Sequence, residues 1–250
     1  MAVELRSILA GYDGQPPATD ALALASGLAV ASGARLTAAF VFAGDHPFTR
    51  NDRDFQHDLR DHMTGLREGV RRACGELFDR DHLEVVATPG VTSAIGLHDL
   101  ARDWRSDLLV VGSTHRGSVG RVFPGSTAER LLVDAPCPIA IAPRGFAERA
   151  RASIATIGVG MDDTRSGEAA LEEARKLAAH LSATLEILPG VGVAEARKLS
   201  DRETERLDLL VLGAGRYGPL EHSAPASPIR SLMHRVTLPV VVVPRDFARR

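Results

Sequence analysis

The chain has 250 residues, enough for one domain or two. Apolar residues at 44% and charged residues at 25% give the balance of an ordinary globular protein. Thirty Lys and Arg against 32 Asp and Glu leave no field to hold a nucleic-acid backbone, and 4% aromatics leave little for a stacking platform.

Short β-branched apolar runs alternate with longer stretches of helical period. Residues 6–12 read as a first strand, followed by a helix over about 17–32 with Ala21, Leu22, Ala25 and Leu28 on one face. A second strand over 35–42 leads into a long amphipathic helix, about 52–78, on which Leu59, Met63, Leu66, Val70 and Leu77 recur. Residues 83–87 read as a third strand, 92–104 as a helix and 108–111 as a fourth strand buried on both faces. A glycine-rich loop, a short helix over about 127–133 and a fifth strand over 138–142 complete the unit. Strands separated by helices imply βαβ crossovers and a mainly parallel sheet.

The pattern then repeats. Ala10-Gly11-Tyr12-Asp13 is answered 149 positions on by Val159-Gly160-Met161-Asp162, and Leu22, Ala25, Leu28 and Leu36 fall on Leu171, Ala174, Leu177 and Leu185. Further along, Leu108–Gly112 is answered only 101 positions on by Leu209–Gly213, so the second copy has lost 48 residues. Pro89-Gly90-Val91 recurs as Pro189-Gly190-Val191, which places the loss between the second strand and this turn. The expected domains are 1–145 and an abridged copy over 152–250.

In a doubly wound sheet, ligands bind beyond the carboxyl ends of the strands where strand order reverses. Asp13 and Gly112 stand at those ends. Ser126 and Glu129 have capping-box spacing, so a helix is expected to start there, its first N–H groups and the Ser126 and Thr127 hydroxyls facing the site. His115, Arg116 and Arg121 add positive charge. These residues fit a phosphate site and a structural loop with an ordinary cap equally well.

With Asp13, Gly112, Gly125, Ser126 and the closing Ala135-Pro136-Cys137-Pro138, the sequence resembles the universal stress protein family over nearly its whole length. ATP-binding members of that family carry G-x2-G-x9-G-[ST] after the fourth strand. Here Gly112, Gly125 and Ser126 match, but position 115 is His instead of Gly. The resemblance implies an α/β fold of two tandem Rossmann-like (adenine nucleotide alpha hydrolase-like) domains with parallel sheets. The first would have five strands in the order 3-2-1-4-5, and the second about four. It implies ATP, or AMP or ADP, as ligand, with or without Mg²⁺. Asp13 would contact the adenine-ribose part and Val41 would line the adenine pocket. Gly112, Gly125, Ser126 and Thr127 would hold the ribose and phosphates, and Gly11, Tyr12, Val111, Thr114 and His115 complete the expected site.

The second copy departs further. Asp162 is kept, but the second glycine is Arg216, Gly125 is answered by Ala226, and Pro228 removes an N–H just after Ser227. This half is expected to bind no nucleotide. Gly213-Ala214-Gly215-Arg216-Tyr217-Gly218 satisfies a dinucleotide pattern but runs into Pro219 and lacks the acidic residue about 20 positions on. No phosphate-binding G-x4-G-K-[ST] occurs. Asp58 and His62 read as a solvated helix face, Cys74 and Cys137 as packed thiols, Trp104 as a packing anchor and Glu129 as a cap.

No catalytic constellation emerges, so slow hydrolysis is the most that is expected. The expected protein is a cytoplasmic stress regulator that binds an adenine nucleotide, without nucleic-acid or membrane partners. The alternative is a nucleotide-free scaffold. Absence of a leader-like start in MAVELRS and the two cysteines underlie the cytoplasmic reading. The apolar strands 138–143 and 239–244 are expected to pair with each other within the chain, and a homodimer is expected as well.

Overall fold

The computed structural model describes residues 5–43, 53–75, 82–113, 125–149, 153–162, 164–192, 199, 201–214 and 236–244. The first copy runs β1 (Ser7–Gly11), α1 (Pro16–Ser32), β2 (Arg35–Phe42), α2 (Arg53–Cys74), β3 (Leu83–Pro89), α3 (Ser93–Asp103), β4 (Leu108–Gly112), α4 (Ser126–Leu131) and β5 (Ile139–Ala142). A short helix α5 (Phe146–Arg149), not anticipated from sequence, lies in the connection. The second copy runs β6 (Thr156–Met161), α6 (Arg165–Leu181), β7 (Thr184–Pro189), α7 (Asp201–Thr204), β8 (Leu209–Gly213) and β9 (Val240–Val243).

The nine strands among the described residues join one sheet in the order β3-β2-β1-β4-β5-β9-β8-β6-β7. The fold is α/β and the pairing is parallel except at the centre, where β5 and β9 run antiparallel with Ala140 opposite Val241. The most apolar strands, Ile139–Ala142 and Val240–Val243, are fully buried there, and the outer edges fall to β3 and β7.

Two apolar layers cover the sheet. One joins α1, α2 and α6 across both copies, with Leu28, Leu66 and Leu177 in one cluster; the other carries Leu97 of α3, Leu131 of α4 and Leu212. Helix α1 is apolar on nearly every side because it packs on the sheet and against α2, α5 and α6 at once. Helix α2 is the opposite case, burying one stripe of Met63, Leu66, Val70 and Cys74 and wetting the rest.

One device recurs at the amino ends of the strands. Asp107 accepts the Arg6 and Ser7 N–H groups at 2.9 and 2.8 Å and the Ser7 hydroxyl at 3.0 Å. Its counterpart Asp208 accepts the Ala155 and Thr156 N–H groups at 2.9 and 2.8 Å. Each carboxylate clips the start of its copy's first strand to the start of the strand beside it, β4 in the first copy and β8 in the second. Across the copies, the His180 Nε2 accepts the Leu5 N–H at 3.2 Å while its Nδ1 faces the Lys176 carbonyl at 2.8 Å.

Two local expectations are corrected. Helix α4 starts on Gly125 as its cap with no side-chain cap bond, so Ser126 is the first helical residue and the capping box does not form. Trp104 caps the end of α3 and is 46% exposed, so it is not a packing anchor; Arg105 follows at φ +51°. On α2, His57 pairs with Asp61 at 3.5 Å on an exposed face, and the His62 ring packs on Phe40 with centroids 4.6 Å apart. Cys74 and Cys137 are both buried and form no disulfide with each other.

Candidate functional site

A cavity of about 240 Å³ opens at the carboxyl ends of β1, β2 and β4, where strand order reverses between β1 and β4. Nine of the residues singled out from sequence line it: Gly11, Tyr12, Asp13, Val41, Val111, Gly112, Gly125, Ser126 and Thr127. Thr114 and His115 lie outside the described residues, as do Arg116 and Arg121. Gln15, Pro17, Ala18, Ala39, Ser93, Leu97 and Ser113 also line the cavity and were not legible beforehand, since no motif marks them.

The floor is apolar. Ala39 and Val41 come from β2, Val111 from β4 and Leu97 from α3, and a methyl built on Gly11 would lie 2.9 Å from the Leu97 Cδ1. Val41 is set by a tight crossing in which the Gly90 turn and Gly96 of α3 press against its side chain. Thr92 caps α3 by accepting the Ile95 N–H at 3.3 Å, which brings Ser93 to the rim. Gly112 can only be glycine, because any Cβ would overlap the Pro17 carbonyl.

The rim is polar and lightly charged. Asp13 is exposed and its Oδ1 accepts the Gln15 N–H at 2.9 Å, closing an Asx turn that aims the carboxylate along the cavity mouth. The Ser113 Oγ–H donates to the Ala142 carbonyl at 2.7 Å, tying the rim to the end of β5. Tyr12 is buried under α2, its hydroxyl pressed against Gly69, and burial pushes the phenol's pKa up. A neutral, inward-facing phenol is no general base. Among the described lining residues Asp13 is the one charged group, and none is His, Cys or Lys. An apolar slot, one carboxylate and the Ser and Thr hydroxyls can bind a flat, partly polar ligand, but these described residues supply no nucleophile and base in partnership.

Together the fold and cavity define a two-copy, doubly wound α/β protein with a cavity at its switch point. The sequence model of the universal stress protein family matches residues 4–143, more than half of the chain. A universal stress protein of Mycobacterium tuberculosis is 29% identical over 204 residues, covering 81% of this chain and 71% of that protein. One from Mycobacterium bovis is 45% identical over 51 residues, a match that spans only 18% of its length and 20% of this chain. The crystal structure of a universal stress protein from Archaeoglobus fulgidus shares the fold at a TM-score of 0.70 and 15% identity, over 97% of this chain and 100% of that one. The chain belongs to the universal stress protein family.

Proposed function

We propose that the first copy binds an adenine nucleotide, ATP or a shorter relative, as the signal of a cytoplasmic stress regulator. The observation that carries this reading is the cavity, where an apolar slot of Ala39, Val41, Leu97 and Val111 meets the Asp13 carboxylate and the Ser126 and Thr127 hydroxyls. The slot suits a purine, the carboxylate can accept ribose hydroxyls, and the hydroxyl rim can donate to phosphate. The donor set is neutral and holds no pair of metal-ligating carboxylates among the described residues, so Mg²⁺ would enter on the nucleotide and any hydrolysis would be slow.

The second copy serves as a structural partner. Calorimetric titration with ATP, with and without Mg²⁺, tests both statements, alongside mass spectrometry of the supernatant from denatured protein. One site per chain is expected, with affinity falling about 10-fold or more in Asp13→Ala and unchanged in Asp162→Ala. Two sites per chain would overturn the assignment of the second copy. Empty protein with no heat would leave a nucleotide-free scaffold. A homodimer is part of the same reading: β7 is an outer edge and its Ile187 is 49% exposed. A monomer at high concentration in light scattering would remove it.

A further inference from the structure

A second cavity of about 450 Å³ adjoins the first at Pro17, which lines both; Gly14, Thr19, Arg144 and Glu148 are among its walls. We propose that Arg144 reads the phosphate chain of the nucleotide, favouring a long chain over a monophosphate. This rests on the adenine-nucleotide reading of the first cavity.

Three features place Arg144 for that task. The β5 end is fixed to the rim by the Ser113 Oγ–H and N–H groups, which reach the Ala142 carbonyl at 2.7 and 3.1 Å, and Arg144 follows two residues later. The turn bearing it is tied to α1 by Asp20, a carboxylate only 4% exposed, whose two oxygens accept the Gly145 and Ala147 N–H groups at 2.8 Å each. The Arg149 guanidinium braces the same turn from outside, donating to the Gly145 and Arg144 carbonyls at 3.2 and 3.3 Å. Asp20 thus holds the turn, and Arg144 and Glu148 are the other ionisable residues of the cavity wall.

The wall shared by the cavities cannot do the work itself. Helix α1 opens with Pro16 and Pro17, so its first two positions carry no N–H to offer an anion. Among the described residues lining either cavity, Arg144 is the one cation. A phosphate chain leaving the first cavity past Pro17 gains a guanidinium, the side chain best suited to phosphate oxygens. Glu148 opposes it from the same cavity. The pair therefore sets how strongly the tail is held, and the two residues carry opposite predicted signs.

The test is titration of adenosine, AMP and ATP into the full chain, stripped of carried nucleotide, for wild type, Arg144→Gln and Glu148→Gln. Arg144→Gln is expected to weaken ATP about 10-fold while leaving adenosine and AMP within about 2-fold. Glu148→Gln is expected to tighten ATP about 2- to 5-fold and leave adenosine alone, a gain that a misfolded variant cannot mimic. Equal effects of Arg144→Gln on all three ligands, or no effect on ATP, would overturn the assignment of Arg144 while the site stands. Wild-type protein that binds none of the three would overturn the site and this inference together.

Discussion

The two copies share a framework and differ at the place where the first holds its cavity. In the first copy the Pro89-Gly90 turn closes on β2, with the Gly90 N–H donating to the Phe42 carbonyl at 3.0 Å, one strand away from the β1 floor. In the second, where the segment corresponding to α2 and β3 is missing, the Pro189-Gly190 turn closes directly on β6, the Gly190 N–H reaching the Met161 carbonyl at 2.7 Å. The turn has moved inward by one strand. The Val191 main chain now lies where a methyl on Gly160 would sit, so the counterpart of Gly11 faces protein backbone. Asp162 is likewise committed: its carboxylate accepts the Thr164 hydroxyl and N–H, and Gly167 packs against it. With a strand and a helix fewer, the second copy has a turn over the corresponding floor, which supports the structural role proposed for it.

The framework both copies keep is set by a few contacts. Gly112 meets the Pro17 carbonyl, and Gly213 meets the carbonyl of its counterpart Ser166. The Asp107 and Asp208 clips are the other repeated feature, and breaking them has the largest expected effect on stability. Asp107→Ala strands the Arg6 and Ser7 N–H groups and is expected to cost about 3 kcal/mol, against about 2 kcal/mol for Asp208→Ala, which has two bonds. Urea unfolding of both variants measures this, and equal costs would mean that the Ser7 hydroxyl bond contributes nothing.

A smaller effect separates the helix ends. Helix α1 ends on Gly33 at φ +73°, whereas its counterpart on α6 is Ser182 at φ +52°, a conformation that a side chain disfavours. Ser182→Gly is expected to stabilise the protein by up to about 1 kcal/mol in thermal unfolding, and Gly33→Ser to destabilise it by a similar amount.

The smallest effect comes from Glu173 on α6, which is buried and has no acidic counterpart on α1. Burial raises its pKa, opposed by Lys176 at 3.5 Å. A carboxyl raised on folding binds its proton more tightly in the native state, so its ionisation lowers stability as pH climbs from the ordinary carboxylate range through the raised value. Glu173→Gln is therefore expected to raise Tm at pH 7 by no more than about 3 °C, with the gain vanishing as pH falls below the ordinary carboxylate range. A gain that persists in acid would sink this explanation.

Much of the fold was legible because it depends on local pattern. The unbroken runs Leu108–Val111 and Val240–Val243 could only be buried strands, and the stripe Met63-Leu66-Val70 could only be the inward face of a helix. The same holds for Asp13 and Gly112, which stand at the ends of strands. Ser93, Leu97 and Ser113 were not legible. They reach the cavity because α3 crosses over Gly96 and because β4 lies beside β5, relations between segments far apart in sequence. The cap of α4 differs from expectation because Gly125, extended at φ −76°, ψ 173°, takes the cap position and makes Ser126 the first helical residue, a backbone outcome that residue spacing does not record.

By itself the sequence determined the two-copy plan, the alternation of strand and helix, the length lost from the second copy and the acidic and glycine positions of the first. Each is written in local spacing, because period and turn chemistry act over a few residues. The pairing of the two closing strands, expected from their apolar runs, is borne out by β5 and β9, but only the tertiary structure decided that Asp20 anchors the connection and that Val191 covers the floor beside Gly160. Those outcomes depend on which distant backbones approach within van der Waals contact, and no local pattern records that.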